Sequence, residues 1–127
     1  SPEEKTMSKT ICIVDDSSSM RQLVRMTLKD AGYDILEAFD GQDALNKLEG
    51  KRVNLVISDV NMPRMDGITL LKTLKQDRNH RVTPVLMLTT ESEQSKKAEG
   101  QAAGAKAWMV KPFQPEQLLS AVQKLTM

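Results

Sequence analysis

The sequence predicts a single α/β domain, a doubly wound (βα)5 fold in which a parallel five-stranded sheet carries helices on both faces. Three observations predict it. Short β-rich runs alternate with segments of helical periodicity along the whole chain. The runs at 11–14, 55–57 and 85–88 are continuously apolar, as central strands buried on both sides are. Strands separated by helices argue for parallel pairing and a sheet covered on both faces. The 127 residues are enough for one domain with a real core and too few for two.

The elements follow in order. TICIV (10–14) is the first strand. Met20, Leu23, Val24, Thr27, Leu28 and Ala31 then recur at i, i+3, i+4, i+7, the pattern of an amphipathic helix, with Ser17 as its N-cap and Gly32 as its stop. DILEAF (34–39) is a shorter strand, and a helix over 42–49 turns Ala44, Leu45 and Leu48 inward and closes at Gly50. NLVIS (54–58) is the third strand, and Asp66-Gly67 opens a helix carrying Ile68, Leu70, Leu71 and Leu74. PVLMLT (84–89) and KAWMV (106–110) are the fourth and fifth, with Met87 and Met109 as core filler. Between them, 92–103 is helical by content, but its apolar side is mostly Ala98, Ala102 and Ala103. Such a helix buries little and is a candidate for a mobile or partner-facing element, with Lys96 and Lys97 on a solvated face. Pro115 falls at the first position of the last helix, whose inner stripe is Leu118, Leu119, Val122 and Leu125.

Composition excludes several function classes. Lys+Arg 18 against Asp+Glu 17 gives a formal net charge of +1, and aromatics make up 3% of the chain, so neither a basic field nor a stacking surface points to nucleic acid. Cys12 is the only cysteine, which excludes an internal disulfide and a multi-cysteine zinc site, and its apolar run predicts a buried, unreactive thiol. No stretch reaches the ~18–20 apolar residues of a membrane span, and no leader opens the chain, so a cytoplasmic location is expected. Residues 1–8 read as a flexible N-terminal tail or an expression remnant, leaving 9–127 as the domain. His80, the only histidine, lies in the polar stretch QDRNHR and is expected on a surface loop.

Right-handed crossovers place the carboxyl ends of all five strands on one edge, where doubly wound folds bind ligands. Asp15 and Asp16 follow the first strand, Asp59 the third, Thr89 and Thr90 the fourth, and Lys111 the fifth. An Asp after one strand is ordinarily a turn or cap residue. Three carboxylates on one rim are different, because at ~4–6 Å each ionised pair repels by several kcal/mol even at an effective dielectric of about 20. Either one acid stays protonated or a cation sits among them. All-oxygen ligands without His or Cys favour a hard ion, and a site with few protein ligands and room for water favours Mg2+ over Ca2+. A divalent ion, an ammonium and hydroxyls around a carboxylate suit a phosphoryl group, with Asp59 as the nucleophile that receives it.

IVDD (13–16), SDVNMPRMDG (58–67), LTTE (88–91) and VKPF (110–113) are similar, in order and spacing, to the response-regulator receiver domain, over essentially the whole chain from Lys9 to Leu125. The resemblance implies strand order 2-1-3-4-5. It implies that Asp59 accepts phosphate from a sensor histidine kinase, that Asp16, Asp59 and the backbone carbonyl of Asn61 bind Mg2+ directly, and that Asp15 acts through a metal-bound water. Thr89 would hydrogen-bond the phosphoryl group, Lys111 would pair with it, and the bond to Pro112 would be cis. Asn61 and Glu91 occupy the positions that tune acyl-phosphate lifetime in the family, and their pairing is similar to that of chemotaxis regulators, implying a short-lived phosphoryl group. The family's switch aromatic, usually Tyr or Phe, is here Trp108, an indole that needs more room to turn inward.

The implied protein is a stand-alone, monomeric receiver of the chemotaxis type, catalysing only its own phosphorylation and dephosphorylation and binding a flagellar motor switch protein when phosphorylated. With no output domain attached, it would signal through the Ala-rich helix, the fifth strand and the last helix to a separate protein. Phosphotransfer domains, as in a phosphorelay shuttle or phosphate sink, are the alternative partners, and a dedicated phosphatase is a further one. A metal-dependent phosphatase acting on small molecules is a third reading, opposed by the lack of an insertion long enough to enclose a substrate.

Overall fold

The computed structural model describes residues 8–127, with the side chains of 91–93 outside that description. Of the tail expected at 1–8, residues 1–7 lie outside the described residues. Five strands, β1 (Thr10–Val14), β2 (Asp34–Ala38), β3 (Leu55–Asp59), β4 (Val85–Thr89) and β5 (Ala107–Val110), form one sheet in the order β2-β1-β3-β4-β5. All four neighbouring pairs are parallel. The helices are α1 (Ser18–Asp30), α2 (Gly41–Leu48), α3 (Gly67–Gln76), α4 (Lys97–Ala102) and α5 (Pro115–Leu125).

Alternation along the strands divides the core into two layers. Ile11, Ile13, Leu55, Ile57, Leu86 and Leu88 point to one face and meet Val24 and Leu28 of α1 and Leu118 and Val122 of α5. Cys12, Val14, Val56, Val85 and Met87 point to the other and meet Ala44 and Leu48 of α2 and Ile68, Leu70, Leu71 and Leu74 of α3. A run apolar at every position is required because both faces of the central strands are covered. Cys12 is fully buried, and burial pushes its thiol up to about 12, so it is no nucleophile in the folded chain.

The caps agree with the residues that make them. The Ser17 hydroxyl accepts from the Met20 N–H at 3.2 Å, and Asp66 accepts from the Thr69 N–H at 2.8 Å. Pro115 opens α5, where the Gln117 side chain accepts from the Gln114 N–H at 2.8 Å. Gly32 and Gly50 take positive φ where their helices end.

Two expectations are corrected. His80 is buried, with Nε2 3.1 Å from the Leu48 carbonyl oxygen, so the loop after α3 tucks its imidazole under the end of α2. The helix expected over 92–103 is a 3-10 helix at Glu91–Lys96 followed by the short α4. Its polar first half has no apolar stripe to seat it, and Lys96 supplies no side-chain cap to nucleate α-geometry. Among the described side chains of α4 only Gly100 is buried, as expected of an element that contributes little to the core.

Candidate metal centre

The site is assembled at the carboxyl ends of β1, β3, β4 and β5. Asp15 follows β1 and is buried, Asp16 beside it is exposed, and Asp59 is itself the last residue of β3 and buried. One carboxylate oxygen from each of the three lies within 4.8 Å of the other two. Thr89 ends β4 and is fully buried, with its hydroxyl 3.1 Å from the Thr90 carbonyl oxygen, whereas Thr90 is exposed. Lys111 follows β5 and reaches across, its Nζ lying 3.2 Å from Asp59 Oδ1 and 3.4 Å from Asp15 Oδ2. The Lys111–Pro112 bond is cis.

Local chemistry explains how the acids are held. Asp15 Oδ1 accepts from the Ser17 N–H at 2.9 Å, and Arg21 Nη1 donates to the Asp15 carbonyl at 2.6 Å while its Nε lies 3.5 Å from Glu37. On the other side, the Gly67 N–H donates to the Val60 carbonyl at 2.7 Å, closing the loop that carries Asn61, which is exposed. A Cβ at Gly67 would fall 2.1 Å from the Asp59 carbonyl oxygen, so only glycine permits this approach of α3 to the end of β3. Arg21 and Gly67 bear on the site in ways the sequence reading missed. In the sequence the Asp66-Gly67 pair signals only a helix start, and nothing local to Arg21 signals its reach.

Charge sets the character of the centre. Burial, the largest single influence on Lys111, pushes its ammonium down, but the charges and hydrogen bonds of Asp15 and Asp59 together outweigh it and hold it above the ordinary lysine range. A raised lysine contributes stability that is fully present below its unfolded value and is lost as pH rises through the folded one. Lys111→Met is therefore expected to remove part of the stability loss of the wild type above pH ~10.5, while leaving the profile between pH ~6 and ~9 parallel to it, as read by urea unfolding across pH.

One ammonium does not balance three carboxylates. Asp16 has no cation within salt-bridge distance among the described residues and is the least buried of the three, so its charge contributes mainly repulsion. Asp16→Asn is expected to stabilise the metal-free chain by about 0.5 kcal/mol and to weaken divalent-ion binding at least tenfold, as read by urea unfolding and calorimetry. The donor set, carboxylate oxygens with no His or Cys, fits a hard divalent cation.

Trp108 is half-buried and packs against the layer that contains Met87. A Cβ on Gly100 would come within 2.3 Å of its ring atom Cζ3, so the indole occupies the space a side chain on α4 would need. Its Nε1 is buried with no hydrogen-bond partner among the described residues. The side chain of Glu91 lies outside the described residues.

A doubly wound parallel sheet whose strand ends bring a carboxylate cluster, a threonine and a lysine to one rim defines the class: an α/β domain with a charged ligand site at the topological switch point. The model of the response regulator receiver domain matches residues 11–123, and the chain belongs to that family, the phosphoryl-accepting switch of two-component response regulators. The chain is 47% identical to the Vibrio cholerae chemotaxis protein CheY4, whose structure superposes with a TM-score of 0.88 and covers 93% of this chain and 98% of that one. It is 38% identical to the alkaline phosphatase synthesis transcriptional regulatory protein PhoP of Bacillus subtilis over 119 residues, 94% of this chain and 49% of that protein. It is 33% identical to the protein PilG of Pseudomonas aeruginosa over 121 residues, 95% of this chain and 90% of that protein. The chain thus spans about half the length of PhoP and nearly all of PilG. Among the described residues no helix is long and apolar enough to cross a membrane.

Proposed function

We propose that Asp59 is the phosphoacceptor of a cytoplasmic, monomeric switch of the chemotaxis type, and that the phosphorylated chain binds a flagellar motor switch protein. One observation carries the reading: three carboxylate oxygens within 4.8 Å of one another beside a lysine that reaches two of those side chains. Asp15, Asp16, Asp59 and the Asn61 carbonyl would hold Mg2+, which when bound supplies charge neutralisation for the incoming phosphoryl oxygens. An Asp59 carboxylate oxygen attacks the phosphorus of the kinase's phosphohistidine, the O–P bond forming as the P–N bond breaks and the imidazole leaves. Lys111 neutralises charge on the transferred group and the Thr89 hydroxyl donates to it. Asn61 and Glu91 set how water reaches the acyl phosphate, with or without a dedicated phosphatase. The chain acts on no other substrate, so it is a switch and not an enzyme.

The phosphoryl group shifts the conformational equilibrium only through contacts that differ between the two states. Trp108 is the natural relay, because it lies on β5 and its ring fills the gap above Gly100 on α4. The 47% identity to a chemotaxis protein supports the motor partner over a phosphorelay shuttle or phosphate sink. Immobilised chain treated with beryllofluoride and Mg2+ is expected to retain purified motor switch protein and not an isolated histidine phosphotransfer domain. Retention of the phosphotransfer domain alone would replace the motor reading with the shuttle.

A further inference from the structure

Between β3 and α3 the chain makes a short loop that presents Asn61 near its start and Arg64 and Met65 further along. Arg64 is the only described non-glycine residue with positive φ, at 67°, a conformation that opposes a Cβ. Its side chain is largely exposed, yet it turns back onto Asp40, which is buried at 2% exposure. Arg64 Nε donates to Asp40 Oδ2 at 3.1 Å, and Nη2 donates to the same oxygen. The other oxygen of Asp40 caps α2 by accepting from the Asp43 N–H at 2.8 Å. Beside this pair, the Met65 side chain lies directly on Gly41, where a Cβ would come within 2.7 Å of the Met65 sulfur. The loop is thus tied at its base by the Gly67–Val60 hydrogen bond and further along to the start of α2.

An arginine at positive φ held by the buried carboxylate that caps α2, in the loop that carries a proposed ligand, calls for a role in that ligand's placement. We propose that Asp40 and Arg64 form a latch that fixes the loop so that the Asn61 carbonyl is presented toward the acidic cluster, making both of them positioning residues for Mg2+. Neither residue is among the cluster itself; each acts through the backbone between Val60 and Asp66. The inference rests on the reading of Asn61 as a metal ligand.

Arg64→Gly separates the latch from mere stability. It removes the ion pair and also the Cβ that opposes φ 67°, so thermal stability is expected to stay the same or rise. Calorimetric titration with MgCl2 is expected to show affinity about fivefold weaker than wild type, as when a partner that orients a ligand is removed. Asp40→Asn, which keeps an oxygen to cap α2, is expected to weaken Mg2+ similarly, and the double variant no further than the stronger single one. Hydrogen exchange of the 60–66 amides is expected to quicken in each. Wild-type Mg2+ affinity in Arg64→Gly, or fully additive losses in the double variant, would overturn the latch alone. No Mg2+ uptake by the wild type itself would overturn the metal reading beneath it.

Discussion

Asp59→Asn is expected to yield a folded chain that takes no phosphoryl group from acetyl phosphate or from a phosphorylated kinase, a loss of at least 10³-fold in labelling rate, because removing the attacking oxyanion removes covalent chemistry that nothing nearby replaces. Asp15 and Asp16 lie in the same cluster, but on the proposed reading they serve the metal, and Asp59 is the carboxylate that Lys111 approaches most closely. The substitution is nearly isosteric, and Lys111 keeps Asp15 as a partner at 3.4 Å. The lost attraction and the relieved repulsion oppose one another, so stability is expected within about 1 kcal/mol of wild type. Intact mass spectrometry alongside urea unfolding reads both quantities. A variant that still acquires the label would move the nucleophile to another residue.

Gly67→Ala is expected to be the most destabilising single-methyl change near the site, by about 3 kcal/mol. A contact of 2.1 Å with the Asp59 carbonyl oxygen meets backbone, not the yielding tip of a side chain, and Met87 Cε at 2.7 Å blocks the other direction. Relief requires α3 to move away from β3 or the Asp59 peptide to turn, and either disturbs the backbone of Asp59. The urea midpoint is expected to fall at unchanged slope, and labelling of the surviving folded fraction to slow as well. An unchanged midpoint would show that the start of α3 is free to shift and that the close approach does not hold Asp59 in place.

The fold was legible because the physics that builds it is periodic. Ile11–Val14 and Val85–Leu88 are apolar at every position since each strand has a helical layer on either side, and the end of each such run marks where a functional side chain emerges. Asp15, Asp59, Thr89 and Lys111 could be placed together from strand ends alone, before any contact was known. The elements that escaped are those decided by tertiary approach. His80 lies in a polar stretch and is buried only because the loop after α3 finds the Leu48 carbonyl. Asp40 and Arg64 are 24 residues apart, and one looks like a helix cap and the other like a solvated loop cation until α2 and the β3–α3 loop meet. The first half of the helix expected over 92–103 has helical content but no apolar stripe, so composition pointed to α-helix where the chain winds as 3-10.

The proposed signalling route fits the same division. The site sits at strand ends, while α4 and β5 are thinly buried and the Trp108 ring of β5 lies against Gly100 of α4. On the proposed reading, a small change at Thr89 and Lys111 acts on these thinly buried elements, where a modest free energy is enough to shift a population.

Peptide mapping by tandem mass spectrometry, after incubation with acetyl phosphate in MgCl2 or in excess chelator, tests the central claim most directly. A phosphoryl group on Asp59 in the magnesium sample, and none with chelator, is the predicted result. Equal labelling in both samples, or a label confined to any other residue, contradicts a divalent-ion centre built around that carboxylate.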